Sequence, residues 1–228
     1  ILTNNTIIDI QRIIEHNDAG FRKQGGTKLV NQQSQQVVYT PPQTANEIIQ
    51  LMSDLEAFIN NDELNDYDDL VKMALIHHQF ESIHPFYDGN GRTGRIVNIL
   101  FLSKQNLLGA PILYLSSYLN KNKAEYYGLL QQVRQTNNWE PWLLYMLKAL
   151  QITSQDTLAT IKSMMALMQK HKLVIKTQLP KLYSHELINN LFIHPYTKVE
   201  FLVNELNIHR NTASIYLNTL TALGLTEK

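Results

Sequence analysis

His84 to Arg95 reads HPFYDGNGRTGR, and the apolar run IVNILFLSKQ follows it at once from Ile96 to Gln105. The order of these residues predicts both a turn and its chemistry. Gly89 and Gly91 admit backbone conformations closed to other residues, so successive N–H groups can converge on one point. A helix beginning near Arg92 adds free amides and a positive dipole end at that point. Arg92 and Arg95 bring planar cationic forks matched to phosphate oxygens. Asp88 offers a hard oxygen suited to Mg²⁺ bridging phosphates. His84 titrates near neutrality and can accept a proton. Together they describe a nucleotide phosphate site with a general base beside it.

Each part has an ordinary explanation. Asp-Gly and Gly-Asn-Gly are common turns, arginines in a first helical turn are usually solvated, and a histidine before proline is usually structural. Those explanations do not predict the ordered set. The chain has no GxxxxGK[ST] loop and no GxGxxG after a strand. All nine fixed positions of HPFxDGNGRxxR are present, and with them the chain resembles the Fic family of nucleotide-transfer enzymes. The flanks YTPP (Tyr39 to Pro42), MALIHHQFESIHPF (Met73 to Phe86) and EYYGLLQQVRQTNNWEPWLLYML (Glu125 to Leu147) extend the likeness. The branch suggested carries a C-terminal winged helix.

The resemblance implies a mainly α fold, a helical Fic core with a small β-hairpin flap followed by a winged helix-turn-helix domain. It implies AMP transfer from ATP to a Ser, Thr or Tyr hydroxyl of a protein, the chain itself included, assisted by Mg²⁺. His84 would be the base and Asp88 the metal ligand. Asp88, Gly89, Asn90, Gly91, Arg92, Thr93, Gly94 and Arg95 would hold the nucleotide. One of Tyr126 or Tyr127 would border it, Tyr127 being the choice. Val37, Val38 and Tyr39 would form the edge of the flap that docks the target by strand pairing, and Phe86 would anchor the loop in the core. Family members also transfer phosphate or phosphocholine, or remove AMP. Many carry an inhibitory [ST]xxxE[GN] helix whose glutamate pairs with the second motif arginine, here Arg95. The nearest match, Thr136 to Glu140, is followed by Pro141 where Gly or Asn is required. The chain opens ILTNN without methionine, which reads as a fragment whose brake lies upstream.

Composition sets outer bounds. The 228 residues, 44% hydrophobic, suffice for one good core or two smaller ones. Twenty basic and twenty acidic residues cancel, so no global field draws the chain to nucleic acid or membrane. Cysteine is absent, which excludes disulfides and thiolate metal sites and suits the cytoplasm. No apolar run reaches membrane-spanning length.

Hydrophobic spacing predicts helices over 6–17, 44–60, 68–82 and 120–137, with a hairpin of 27–30 and 37–40 around the polar tip Asn31 to Gln36. His77 and His78 fall on the third helix as packing or hydrogen-bonding residues, and Glu81-Ser82 as support for the loop. Residues 109–118 read as a connector. From Trp142 a helical pattern runs to about Met168, turning polar after Ile152, with Met164, Met165, Leu167 and Met168 read as a buried stripe in preference to a soft interface. The domains predicted are a catalytic core (1–150), a helical spacer (151–180) and a helix-turn-helix module (181–228).

That module carries Lys181, Lys198, Arg210 and Lys228 against Glu186, Glu200, Glu205 and Glu227. A DNA reader normally shows a basic face, so a protein-interaction or homodimerisation module stands beside DNA binding. Two functions follow: a protein adenylyltransferase, or a nucleotide-sensing DNA-binding regulator. His84 favours the first, because sensing needs no base.

Overall fold

The computed structural model describes residues 1–31, 35–64 and 66–227. The hairpin tip expected between Asn31 and Gln36 therefore lies partly outside the described residues. The chain divides into two compact units, Ile1–Thr157 and Leu158–Lys228.

The first unit opens with α1 (Asn4–Glu15), started by Thr3, whose hydroxyl accepts from the Thr6 N–H. Two short antiparallel strands follow, β1 (Leu29–Val30) and β2 (Val37–Tyr39), paired as Leu29↔Tyr39 and Val30↔Val37. Helix α2 (Ala45–Asn60) starts at Thr44, which caps the N–H of Glu47. It buries Ile48, Met52, Leu55 and Ile59, one stripe at helical spacing. A 3₁₀ turn (Asp62–Leu64) leads to α3 (Asp69–Ile83), then α4 (Asn90–Lys104), α5 (Leu115–Lys121) and α6 (Lys123–Thr136). Helix α7 (Glu140–Gln178) begins in this unit and continues into the second.

Helix α3 is the axis of the first unit, since it is buried nearly all round. Met73, Ile76, Phe80 and Ile83 meet Val97, Phe101 and Leu102 of α4 in one core with Phe86 and Trp142. The Trp142 indole donates to the Ala74 carbonyl at 2.9 Å, satisfying its buried N–H.

The second unit holds α8 (His185–Ile193), α9 (Val199–Leu206) and α10 (Arg210–Ala222) with the end of α7. Ile175, Leu187, Ile188, Leu202, Ala213 and Leu220 form its core. Asn207, left-handed at φ 51°, turns the chain between α9 and α10. This is the expected helix-turn-helix; among the described residues no strand follows it.

The structure differs from the periodicity reading in three places. The expected connector 109–118 already turns helical at Leu115. The helical pattern expected from Trp142 to about Met168 runs unbroken through the polar segment and on to Gln178, with Thr153 bonding the Ala149 carbonyl one turn back. Met164, Met165 and Leu167 are exposed rather than a buried stripe; Met168 packs on the second core.

Candidate active site

The site is built where α3 ends and α4 begins. His84 terminates α3 in a left-handed conformation, φ 50°, and its N–H still donates to Phe80 O. Arg22, fully buried, holds this corner: its Nε donates to His84 O at 2.8 Å and its Nη2 to the carbonyls of Pro42 and Ile83. Phe86 is fully buried and anchors the loop by packing on Phe21 and Phe80. Asn90 closes the loop, its Oδ1 accepting from Phe86 N–H and its Nδ2 donating to Phe86 O. Its side chain is thereby used up, so what Asn90 can offer a phosphate is its backbone N–H.

Gly89 caps α4 at φ 81°, a region only glycine enters without strain. The amides of Asn90, Gly91 and Arg92 then form the open first turn of α4, two residues earlier than the arginine spacing suggests. Asp88 is exposed at the mouth, with Oδ1 accepting from Gly89 N–H at 2.7 Å. Thr93 and Gly94 are buried on the side of α4 that faces α3. A Cβ at Gly94 would lie 2.9 Å from the Phe80 ring and 3.1 Å from Glu81 Oε1. Glycine is required there for close helix packing.

The two arginines differ. Arg95 Nε donates to Ser116 Oγ of α5 at 2.9 Å, and its Nη1 lies over Gly91. Arg92 pairs with Glu15 at the end of α1, whose carboxylate fills the space over Gly89. Gln11, one turn earlier on α1, donates to Asp88 O. Both arginines line a cleft of ≈ 440 Å³ with Ile14, Ile99, Tyr114 and Ser116, a size typical of small-molecule sites.

Burial sets the titration of the groups beneath. His84 is pushed down to about 4 by burial, with Arg22 and Arg134 adding to it. It is therefore neutral at pH 7 and able to accept a proton. Burial pushes Glu81 up to about 7 against the pull of Arg95 and Arg134. His77 and His78 are pushed down to about 3 and 4, again chiefly by burial. As expected they serve structure: His77 Nε2 pairs with the Tyr126 hydroxyl at 2.8 Å, His78 with Leu130 O. Tyr127, the tyrosine assigned to the nucleotide, is about half exposed on α6 with Lys123 over its ring.

The flap strand is tied to its neighbours. Val37 and Val38 are exposed; Val38 O accepts from Gln131 Nε2 of α6 at 2.7 Å. The Tyr39 hydroxyl donates to Ser82 O, and Arg134 stacks on its ring at 3.8 Å. Arg134 also donates to Ser82 Oγ and Glu81 O. Arg22, Arg134, Gln131, Gln11 and Glu15 are the site residues that sequence reasoning missed. The available signal was the flank from Glu125 to Leu147, which holds both Gln131 and Arg134.

Comparison with known proteins agrees with this geometry. Residues 1–102 match the Fic/DOC family, and residues 167–228 match the family described as "Protein adenylyltransferase SoFic-like, C-terminal domain". The chain thus carries a Fic/DOC domain over residues 1–102 followed by a SoFic-like C-terminal domain over residues 167–228. Among curated proteins it is 26% identical over 116 residues to protein adenylyltransferase fic-1 of Caenorhabditis briggsae, covering 51% of this chain and 22% of that protein. The Caenorhabditis elegans fic-1 is 25% identical over 122 residues, covering 54% and 23%. The matched part thus spans less than a quarter of these relatives. A Fic family protein from Desulfovibrio desulfuricans G20 shares the fold with TM-score 0.61 at 23% identity, covering 96% of this chain and 62% of that one. Residues 134–508 of C. elegans Fic-1 give 0.53 at 23% identity, covering 71% and 44%.

Proposed function

We propose that this chain is a protein adenylyltransferase that moves AMP from ATP to a hydroxyl of a protein, including its own. The observation that carries the reading is the corner between α3 and α4, where a half-buried neutral His84 and a Gly89-opened helix start share one loop. The relatives named as adenylyltransferases support it. The hydroxyl oxygen attacks the α-phosphorus while its proton passes to His84. The bond from that phosphorus to the bridging oxygen breaks, and pyrophosphate leaves. First-turn amides of α4 receive the inner phosphates. Arg95 and Arg92 pair with the outer ones, Arg92 exchanging Glu15 for phosphate. The exposed flap edge at Val37 and Val38 receives the target segment by strand addition.

Among the described residues no cluster of three His, Cys, Asp or Glu could hold a metal by itself. Asp88 alone, one exposed carboxylate with one oxygen engaged, fits Mg²⁺ that is held mainly by phosphates and water. Bound there, Mg²⁺ supplies charge neutralisation between phosphates. Incubation with α-labelled ATP, Mg²⁺ and a cell extract tests the reading. Label should appear on protein with the native chain and not with His84→Ala; equal labelling by the two removes the assignment.

A further inference from the structure

Glu81 has no part in the transfer just described, yet it lies directly beneath the phosphate cradle. Its side chain is 7% exposed, and its Oε1 is buried with no hydrogen-bond partner among the described residues. That oxygen lies 3.7 Å from the Cβ position of Gly91 and 3.1 Å from that of Gly94. A side chain at either glycine would come between the carboxyl and the ligand surface. Buried acids in native proteins are normally paired or hydrogen-bonded. This one is left unpartnered under the turn that would receive the phosphates.

We propose that Glu81 is a proton-carrying part of the nucleotide site: its carboxyl must hold a proton when phosphates occupy the cradle, so ATP binding takes up one proton. The inference rests on the reading of this cradle as an ATP site. The groups facing Glu81 are Arg95 from α4, Arg134, Tyr126 and Tyr127 from α6, and His77 one turn back on its own helix. The tyrosines are held neutral by raised pKa values, and His77 is neutral because burial lowers its own. Guanidinium groups as a class keep their charge in proteins. Glu81, poised at about 7, is thus the member of this cluster that changes charge near neutral pH. Its remaining anionic character depends on Arg95 and Arg134. Phosphates that pair with Arg95 withdraw part of that support and add like charge. One negative charge roughly 6 Å away, at an effective dielectric near 20, raises proton affinity by more than tenfold. Glu81 is accordingly a positioning residue, acting through the field under Arg95 and the α4 amides.

The test is calorimetric titration of the whole chain with ATP and Mg²⁺ at pH 8, in two buffers of different ionisation enthalpy. At that pH free ATP is already deprotonated, so uptake reports on the protein. The native chain should take up close to one proton per ATP at pH 8 and lose about fivefold in affinity between pH 8 and 9, with little further loss above. Glu81→Gln should take up none and bind with little pH dependence. ATP binding without proton uptake in the native chain, or with equal uptake in Glu81→Gln, overturns the proton role and leaves the nucleotide site standing. No ATP binding by the native chain at any pH overturns both. If Glu81→Gln loses its helical circular dichroism, the native chain decides through infrared difference spectra. A carboxylic-acid C=O band must appear on ATP addition, and its absence overturns the proposal.

Discussion

Two helix–turn–helix pairs in this chain use the same device at the turn and bury different chemistry. Helices α3 and α9 both end on a left-handed residue that is not glycine, His84 at φ 50° and Asn207 at φ 51°. From there they diverge. Helix α9 buries Leu202 alone, and α10 buries Ala213 and Leu220, an ordinary amphipathic fit. Helix α3 buries Lys72, His77, His78 and Glu81 among its apolar residues, and α4 buries Asn90, Thr93 and Asn98. Most of these find partners, as Lys72 does with Asp62 at 2.7 Å. Fold economy alone would favour apolar residues at such positions. A turn closed by the Asn90 side chain, and held from the side by Arg22, is fixed in advance for a charged ligand.

The comparison makes graded predictions. The largest effect should come from His84→Ala, which removes the proposed base and should lower transfer by ~10²–10⁴-fold while the melting temperature holds. His209→Ala, at the N-cap of α10, should leave transfer unchanged. Next, Leu202→Ala should cost ~2–5 kcal/mol in the second unit, because that leucine is wholly buried. Amide exchange in α8, α9 and α10 would then accelerate while α3 and α4 stay protected. A smaller loss, ~1–3 kcal/mol, is expected for Gly94→Ala, whose Cβ meets Phe80 and Glu81. Gly128→Ala, mid-helix in α6 with nothing within 4 Å, should instead stabilise by ~0.5–1 kcal/mol. Thermal melts of the two variants read the contrast.

A further effect is on the pH dependence of stability. His77, His78 and His84 have folded pKa values below the unfolded 6.5, so the unfolded chain binds more protons under acid conditions. Their contribution is complete above about pH 6.5 and is lost as pH falls toward the folded values. Glu81 is raised instead, so it opposes one of them between pH 7 and 4.5. Stability should fall on acidification from pH 6.5 to 4.5, and His77→Gln should flatten the slope by about 1.4 kcal/mol per pH unit at most. Denaturant midpoints across that range check the sign.

What could be read from the sequence follows the same division. The motif from His84 to Arg95 was legible because its chemistry is local: the turn, the helix start and the charges are neighbours in the chain. Helices α1 and α2 were legible from their apolar spacing. Arg22 was not, since it contacts His84 and Ile83 some sixty residues away, and an arginine in a polar Gly-containing stretch reads as solvated. Glu15 escaped for the same reason, although the helix bearing it was clear. Glu81 was read as support for the loop, and only the burial of α3 on every side reveals the acid's unusual state.

The central claim is that the corner between α3 and α4 transfers AMP rather than another part of ATP. Parallel reactions with α-labelled and γ-labelled ATP, in Mg²⁺ and with the same protein acceptor, test it most directly. Incorporation from α-labelled ATP alone, abolished in His84→Ala, is the predicted result. Incorporation from γ-labelled ATP, or α-label transfer that survives loss of His84, would contradict it.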